Sequence, residues 1–304
     1  MFSAKKFVIT SCILLVISSA VPFIQKPSRE GLHAWFLNVG QGTSVLVQTP
    51  PGNYLLFDGG PDSRVLSELG EVLPSHFRAL DIVALSHPHA DHLRGLILVL
   101  ERYHVGEIWS SGTVYQSGEY QKWIQILSGL SSVKRSLSFP QQLSLGLSSI
   151  KVLHPIQSME GKTPQETHDG NLSMLITYES NQLLLMGDVA EKQEKLIVST
   201  CKPPSCIFNS QVLQVAHHGS ASGTSNSFLQ ASHPYLAVIP VGKENKFKHP
   251  RAEVLERLTK AEVATWRTDL DGRVHVEFKK SVLSVNSTSG RISIIDLSPR
   301  PAPT

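Results

Sequence analysis

Six consecutive residues, His87-Pro88-His89-Ala90-Asp91-His92, put three imidazoles and a carboxylate into one short stretch just after the apolar run at 82–85. Neutral imidazole nitrogens and ionised carboxylate oxygens are ligands that Zn2+ and Mn2+ accept, and a pair of ions needs about three or four protein ligands each. Further acids and histidines follow three other apolar runs: Asp58 after 54–57, Asp188 after 182–186, and His217-His218 after 212–216. Taken singly, each has an ordinary structural reading. Asp58 before Gly59-Gly60 suits a turn, Asp188 suits the cap of a following helix, and Asp91 suits the cap of a helix starting at Leu93. Four strand ends that all carry ligand-type residues favour a metal cluster, because strand ends are where a packed sheet holds loops in fixed positions.

The elements that must position these groups are read from local pattern. Residues 33–37, 44–48 and 54–57 read as strands separated by Gly-containing turns, and 63–73 has helical spacing. A short apolar strand at 82–85 delivers the histidine cluster, and a helix is expected from Leu93. The segment 104–170 is rich in serine and weakly patterned. Beyond it, 172–178 and 182–186 read as paired strands, followed by a helix from Glu191, a strand at 212–216 and another at 236–240. A helix from Arg251 and strands at 264–267 and 274–278 complete an alternation of strands and helices, with no repeat at domain scale. We expect one domain over 30–295 and a mobile tail over 296–304.

The composition is that of a globular protein: 304 residues, 41% hydrophobic and 17% charged, which argues against disorder. A net charge of +3 permits an anionic partner without arguing for one. Residues 1–20 place Lys5 and Lys6 ahead of an apolar run that ends at Ser18-Ser19-Ala20, the form of an export signal; an apolar run continued to 24 would instead be a membrane anchor. Either reading exports the remainder, to the periplasm or the extracellular space. Of three cysteines, Cys201 and Cys206 flank a small loop, where a disulfide is expected in an oxidising compartment and two free thiols are the alternative.

Asp58-Gly59-Gly60, the cluster at 87–92, Gly187-Asp188 and His217-His218-Gly219-Ser220 together resemble the metallo-β-lactamase superfamily. Within it, the chain is similar to the hydrolase domain of ComEC-type DNA-uptake proteins. That likeness rests on Phe36-Leu37-Asn38-Val39-Gly40-Gln41-Gly42, Lys248-His249-Pro250, and Arg267-Thr268-Asp269 leading to Asp271-Gly272. The resemblance implies an α/β fold of the αββα sandwich type, two mixed sheets flanked by helices, with two divalent ions, Zn2+ or Mn2+. It assigns His87 and His89 to one ion, Asp91 and His92 to the other, and Asp188 to both. One of His217 and His218, with His218 favoured, completes the second site. His168 is either a further ligand of the first ion or a solvated histidine beside Asp169, and Asp58 orients a ligand histidine through its free ring N–H. The chain departs from the family where Asn38 and Thr43 replace frequent aspartates, and His89 stands where many ComEC-type domains have aspartate.

Two ions joined by Asp188 supply a water of lowered pKa and stabilise charge on an attacked phosphoryl or carbonyl oxygen, so the expected chemistry is hydrolysis. Asp91, Asp188 and His249 are assigned to catalysis. Lys246, Lys248 and Arg251 around His249 are assigned to an anionic substrate, the alternative being a solvated basic loop. The expected substrate is DNA or another phosphodiester. The alternatives are an amide or ester hydrolase of β-lactamase or lactonase type, and a metal-dependent DNA-binding module without turnover. ComEC-type proteins join this domain to a membrane channel, so a role in DNA uptake calls for a separate channel partner; a freestanding exported hydrolase needs none.

Overall fold

A computed structural model describes residues 29–200 and 210–298. The chain runs through β1 (Leu32–Phe36), β2 (Val45–Thr49), β3 (Asn53–Phe57), α1 (Arg64–Val72), β4 (Ala79–Ala84), α2 (Ala90–Leu100), β5 (His104–Ser110), α3 (Gly118–Gly129) and β6 (Val133–Ser136). It continues with β7 (Gln142–Leu145), β8 (Ser148–His154), β9 (Ser173–Tyr178), β10 (Asn181–Leu185), α4 (Glu191–Thr200), β11 (Val212–Gln214), α5 (Asn226–Ser232) and β12 (Leu236–Ile239). The last elements are α6 (Ala252–Lys260), β13 (Ala264–Arg267), the short α7 (Thr268–Asp271), β14 (Val274–Phe278), β15 (Val282–Ser287) and β16 (Ile292–Asp296).

Among the described residues the strands form two mixed sheets, one ordered β16-β15-β14-β1-β2-β3-β4-β5-β6 and the other β13-β12-β11-β10-β9-β8-β7. The sequence periodicity explains the layering. In β3, Leu55 and Phe57 point into the core between the sheets, while Tyr54 and Leu56 point to the helices on the outer face. Val65 and Leu69 of α1, Leu93 and Leu96 of α2 and Trp123 of α3 cover the first sheet. Ile197 of α4, Phe228 of α5 and Val254 and Leu258 of α6 cover the second. The result is helix, sheet, sheet, helix, the expected αββα sandwich.

Strands β3 to β6 run parallel, as do β10 to β13. Their carboxyl ends therefore lie at one edge of each sheet, where loops can converge on a ligand. Asp58 follows β3, the 86–92 segment follows β4, Asp188 follows β10, and His217 and His218 follow β11.

Several local expectations are corrected. The helix after β4 starts at Ala90 rather than Leu93, with His89 at its cap position and no side-chain cap bond, so Asp91 lies inside the first turn and does not cap. The 104–170 stretch holds four strands and α3; it reads as weakly patterned because β6 and β7 lie at sheet edges and alternate little. The tail does not begin at 296: Asp296 closes β16, Leu297 donates its N–H to the Ser281 carbonyl, and Tyr235 donates its hydroxyl to the Ser298 carbonyl. The expected export segment and the Cys201–Cys206 pair lie outside the described residues. Among the described residues, no helix is long and apolar enough to cross a membrane.

Candidate metal centre

Three backbone contacts build the site. A Cβ on Gly95 of α2 would lie 1.8 Å from the Gly59 carbonyl oxygen, and one on Gly59 would lie 2.3 Å from the Leu96 nitrogen, so only paired glycines let the helix approach the loop. Gly59 donates to the His92 carbonyl (2.8 Å) and Gly95 to the Gly60 carbonyl (3.0 Å), which fixes Asp58 beside His92. In the same way a Cβ on Gly42 would meet the Asp91 carbonyl oxygen at 2.4 Å, and Thr43 donates to that oxygen at 3.2 Å. The Val39-Gly40-Gln41-Gly42 turn thus packs on the start of α2.

The ligand atoms of Asp91, His92, Asp188 and His218 all lie within 4.8 Å of one another. His218 Nε2 is 3.2 Å from Asp91 Oδ2 and 3.5 Å from Asp188 Oδ2, and His92 Nε2 is 3.3 Å from Asp188 Oδ2. From the other side the same Asp188 oxygen faces His217 Nε2 at 3.7 Å and His87 Nε2 at 3.9 Å. His87 Nε2 is 2.9 Å from His89 Nδ1. The His168 ring lies 5.6 Å from that of His87, 5.7 Å from His89 and 4.8 Å from His217. The eight residues named from the sequence as candidate ligands, with His217 and His218 as alternatives and His168 left open, all converge around Asp188, and the His87 ring also lies 4.2 Å from that of His92. His218 clusters with Asp91 and His92, and His217 stands beside His168, so both late histidines face Asp188 where the sequence called for one.

The turn that carries the two late histidines has a helical φ of the left-handed sense at both, 50° at His217 and 55° at His218, and sets both imidazoles toward the same Asp188 oxygen. Gly219 follows with φ +80, and its missing Cβ makes room for Pro250. His218 Nδ1 donates to the Pro240 carbonyl (2.9 Å), leaving Nε2 for the cluster. His92 is held likewise. Asp58 Oδ2 accepts from its Nδ1 at 2.7 Å and from the Ser86 hydroxyl at 2.7 Å, while Asp58 Oδ1 accepts from the Ser86 N–H at 2.7 Å. The Ser86 oxygen in turn lies 3.0 Å from His87 Nδ1, so one buried carboxylate orients two imidazoles.

The donor set fits cations. His92 Nε2, His218 Nε2, Asp188 Oδ1, His168 Nδ1 and His217 Nδ1 are buried atoms without hydrogen-bond partners, a costly arrangement unless another group satisfies them. Protons compete for the same atoms. Burial lowers the proton affinity of His92 and His218, but the neighbouring carboxylates, Asp188 foremost, outweigh it and push His92 well above the usual imidazole range and His218 up to about 9. Away from that group burial prevails: His87 falls well below the usual range and His217 falls to about 4. Positive charge is favoured where three carboxylates meet, which is also where a divalent ion would replace the protons.

Residues that the sequence did not flag hold the Asp188 turn. Asn171 Oδ1 accepts from the Asp188 N–H (2.9 Å), and its amide donates to the Met186 carbonyl (2.8 Å). Gln214 Oε1 accepts from the N–H groups of Met186 and Gly187, both at 2.8 Å. Gln214 interrupts an otherwise apolar strand and is fully buried, and that interruption is the one signal that could have found it.

The 243–251 loop borders the site. His249 stands 5.8 Å, ring to ring, from His217; Lys246 and Lys248 are exposed and Arg251 caps α6 half-buried. Arg251 N–H donates to the Gly219 carbonyl (2.9 Å), and the Asn245 side chain bonds the Gly242 carbonyl and both backbone groups of His249, so the loop is tied to the histidine turn.

Asp58→Asn keeps the shape of the orienting group and removes its charge. We expect metal affinity to fall about 10- to 100-fold, read by competition with a chromophoric chelator. Parent-like affinity would remove Asp58 from the role given to it.

The family model described as the metallo-beta-lactamase superfamily matches residues 37–242. The chain is 28% identical over 285 residues to Recombination protein 2 of Haemophilus influenzae, covering 92% of this chain and 33% of that protein. It is 25% identical over 278 residues to ComE operon protein 3 of Bacillus subtilis (84% and 34%) and 29% identical over 241 residues to Competence protein ComA of Neisseria gonorrhoeae (77% and 30%). The chain thus spans about a third of the length of these relatives. Among solved structures, the metallo-beta-lactamase fold protein YhfI of Bacillus subtilis superposes with a TM-score of 0.52 at 16% identity, covering 79% of this chain and 97% of YhfI. CmlA, a diiron β-hydroxylase from Streptomyces venezuelae, superposes with a TM-score of 0.52 at 13% identity (83% and 55%).

Proposed function

Given that the chain belongs to the metallo-beta-lactamase superfamily, we propose that it is an exported metal-dependent phosphodiesterase that acts on DNA. The observation that carries this reading is the cluster of Asp91, His92, His218 and Asp188, with His87 and His217 also facing Asp188, bordered by a loop with Lys246, Lys248 and Arg251. The printed names of the curated relatives, a recombination protein and a competence protein, support a role in DNA uptake. A membrane DNA channel is then the partner to seek.

In this reading Asp91, His92 and His218 hold one ion, His87, His89, His168 and His217 hold the other, and Asp188 serves both. When bound, two divalent cations such as Zn2+ or Mn2+ supply a water of lowered pKa and polarise a phosphoryl oxygen. The chain's own part is positional. Asp58, Ser86 and the Pro240 carbonyl fix which ring nitrogens face inward. Lys246, Lys248 and Arg251 attract the phosphate backbone, and His249, at the edge of the cluster, is placed to give a proton to a leaving oxygen. Fold likeness alone does not decide the reaction, since CmlA shares the fold and is a hydroxylase.

The test is hydrolysis of bis-p-nitrophenyl phosphate and of nitrocefin, side by side, by full-length protein loaded with Mn2+ or Zn2+. We expect the phosphodiester alone to be cleaved. Cleavage of nitrocefin alone would assign amide chemistry, and cleavage of neither would leave a binding module. Changing Lys246, Lys248 and Arg251 to alanine should weaken DNA binding and flatten its salt dependence, by about one unit of log–log slope per lost phosphate contact.

A further inference from the structure

The basic loop also carries an apolar ring. Phe247 is 48% exposed, on a loop tied to the histidine turn through Asn245 and Arg251. Its ring stacks beside His249, with centroids 5.7 Å apart and planes 24° from parallel. The contact continues inward: His249 to His217 at 5.8 Å, His217 to His168 at 4.8 Å, His168 to His89 at 5.7 Å, and His89 to Tyr115 at 5.7 Å. An unbroken row of rings therefore runs from Tyr115 along the cluster to Phe247. The Lys246 ammonium lies over the Phe247 ring, 5.0 Å from its centroid, on an exposed stem that a stacking base can displace toward its own phosphate.

We propose that Phe247 is a base-stacking platform that makes unpaired, single-stranded nucleic acid the favoured substrate form. Bases in a duplex are stacked on one another and offer an aromatic side chain no face; an unpaired base offers its whole π-face, whatever its identity. Lysines alone bind phosphates of either form. An exposed ring next to them, held in place by the Asn245 hydrogen bonds and by Pro250 packed on Gly219, discriminates between the two. The proposal rests on the phosphodiester reading for its biological sense, but it makes a claim about binding that needs no turnover.

The experiment measures binding of a labelled oligodeoxythymidine and of a labelled duplex of the same length to full-length protein, at one salt concentration, by fluorescence anisotropy. The parent should bind the single strand more tightly than the duplex. Phe247→Leu should weaken single-strand binding about tenfold and duplex binding less than about twofold, and Phe247→Trp should restore the preference. Equal loss on both forms, or no loss, would overturn the proposal, as would a parent that binds the duplex better. A protein inert toward bis-p-nitrophenyl phosphate that still shows the Phe247 effect would sink the hydrolase reading and keep this one.

Discussion

Asp188→Ala should lower phosphodiester turnover by about 10³-fold or more, and the metal content of the purified protein should fall with it. Its Oδ2 lies between 3.3 and 3.9 Å from ring nitrogens of His92, His218, His217 and His87. Asp91 faces only the group on one side, so no other carboxylate takes up the shared position. The carboxylate is buried, and Asn171 and Gln214 fix the backbone of the turn that carries it, hence a water cannot reproduce its charge or its placement. The loop at 243–251 is untouched by the change, and DNA affinity should survive with its salt dependence intact. Elemental analysis, nitrophenyl phosphate hydrolysis and DNA binding on the one variant decide the matter. Turnover like that of the parent would end the case for a centre shared through Asp188.

Gly95→Ala is expected to destabilise the fold by about 3 kcal/mol and to lower the melting temperature by roughly 6–12 °C. The new methyl would sit 1.8 Å from a backbone oxygen and 2.9 Å from Val65 Cγ1, and backbone cannot swing aside as a flexible side chain can. Helix α2 and the 58–60 loop must part, which draws Asp58 away from the His92 nitrogen it holds at 2.7 Å. Metal affinity should therefore fall as well. Gly70→Ala in the exposed part of α1, where a Cβ meets nothing within 4 Å, is the control and should be neutral or stabilise by about 0.5–1 kcal/mol. Thermal melts of both variants check the account; a Gly95→Ala protein that melts with the parent would contradict the close approach of helix and loop.

The candidate ligands were legible because strand ends announce themselves: an apolar run stops, and histidines or an acid follow it. The αββα layering was legible through the family motifs, and most central strands through runs such as 54–57 and 182–186. Other features depend on partners distant in sequence. Nothing local marks Ser86 as the donor that links Asp58 to His87, or Asn171 and Gln214 as amides aimed at one turn. The choice between His217 and His218 turned on backbone dihedrals, which residue types do not encode at that position. Of the edge strands, β13 was read and β6, β7 and β16 were not; β16 exposes Ile292 and Ile294, so the usual pairing of apolar with buried fails there. Phe247 escaped notice because an aromatic residue within a run of lysines reads as incidental until its neighbours in space are known.

The division of the cluster between two sheets sets a timetable for the nascent chain. His87, His89, Asp91 and His92 are made early and sit on the first sheet, whereas Asp188, His217 and His218 are made much later and sit on the second. The first sheet itself is not finished until β14 to β16 have been synthesised and added beside β1. This is high contact order: Asp188 and His218 meet the 87–92 cluster across about a hundred residues or more of sequence, so the centre assembles only after most of the polypeptide is available. A partly made chain offers a loose histidine cluster without its shared carboxylate. Since the full set of candidate ligands is brought together only in the folded state, an ion held there would be drawn from whichever compartment folding finishes in.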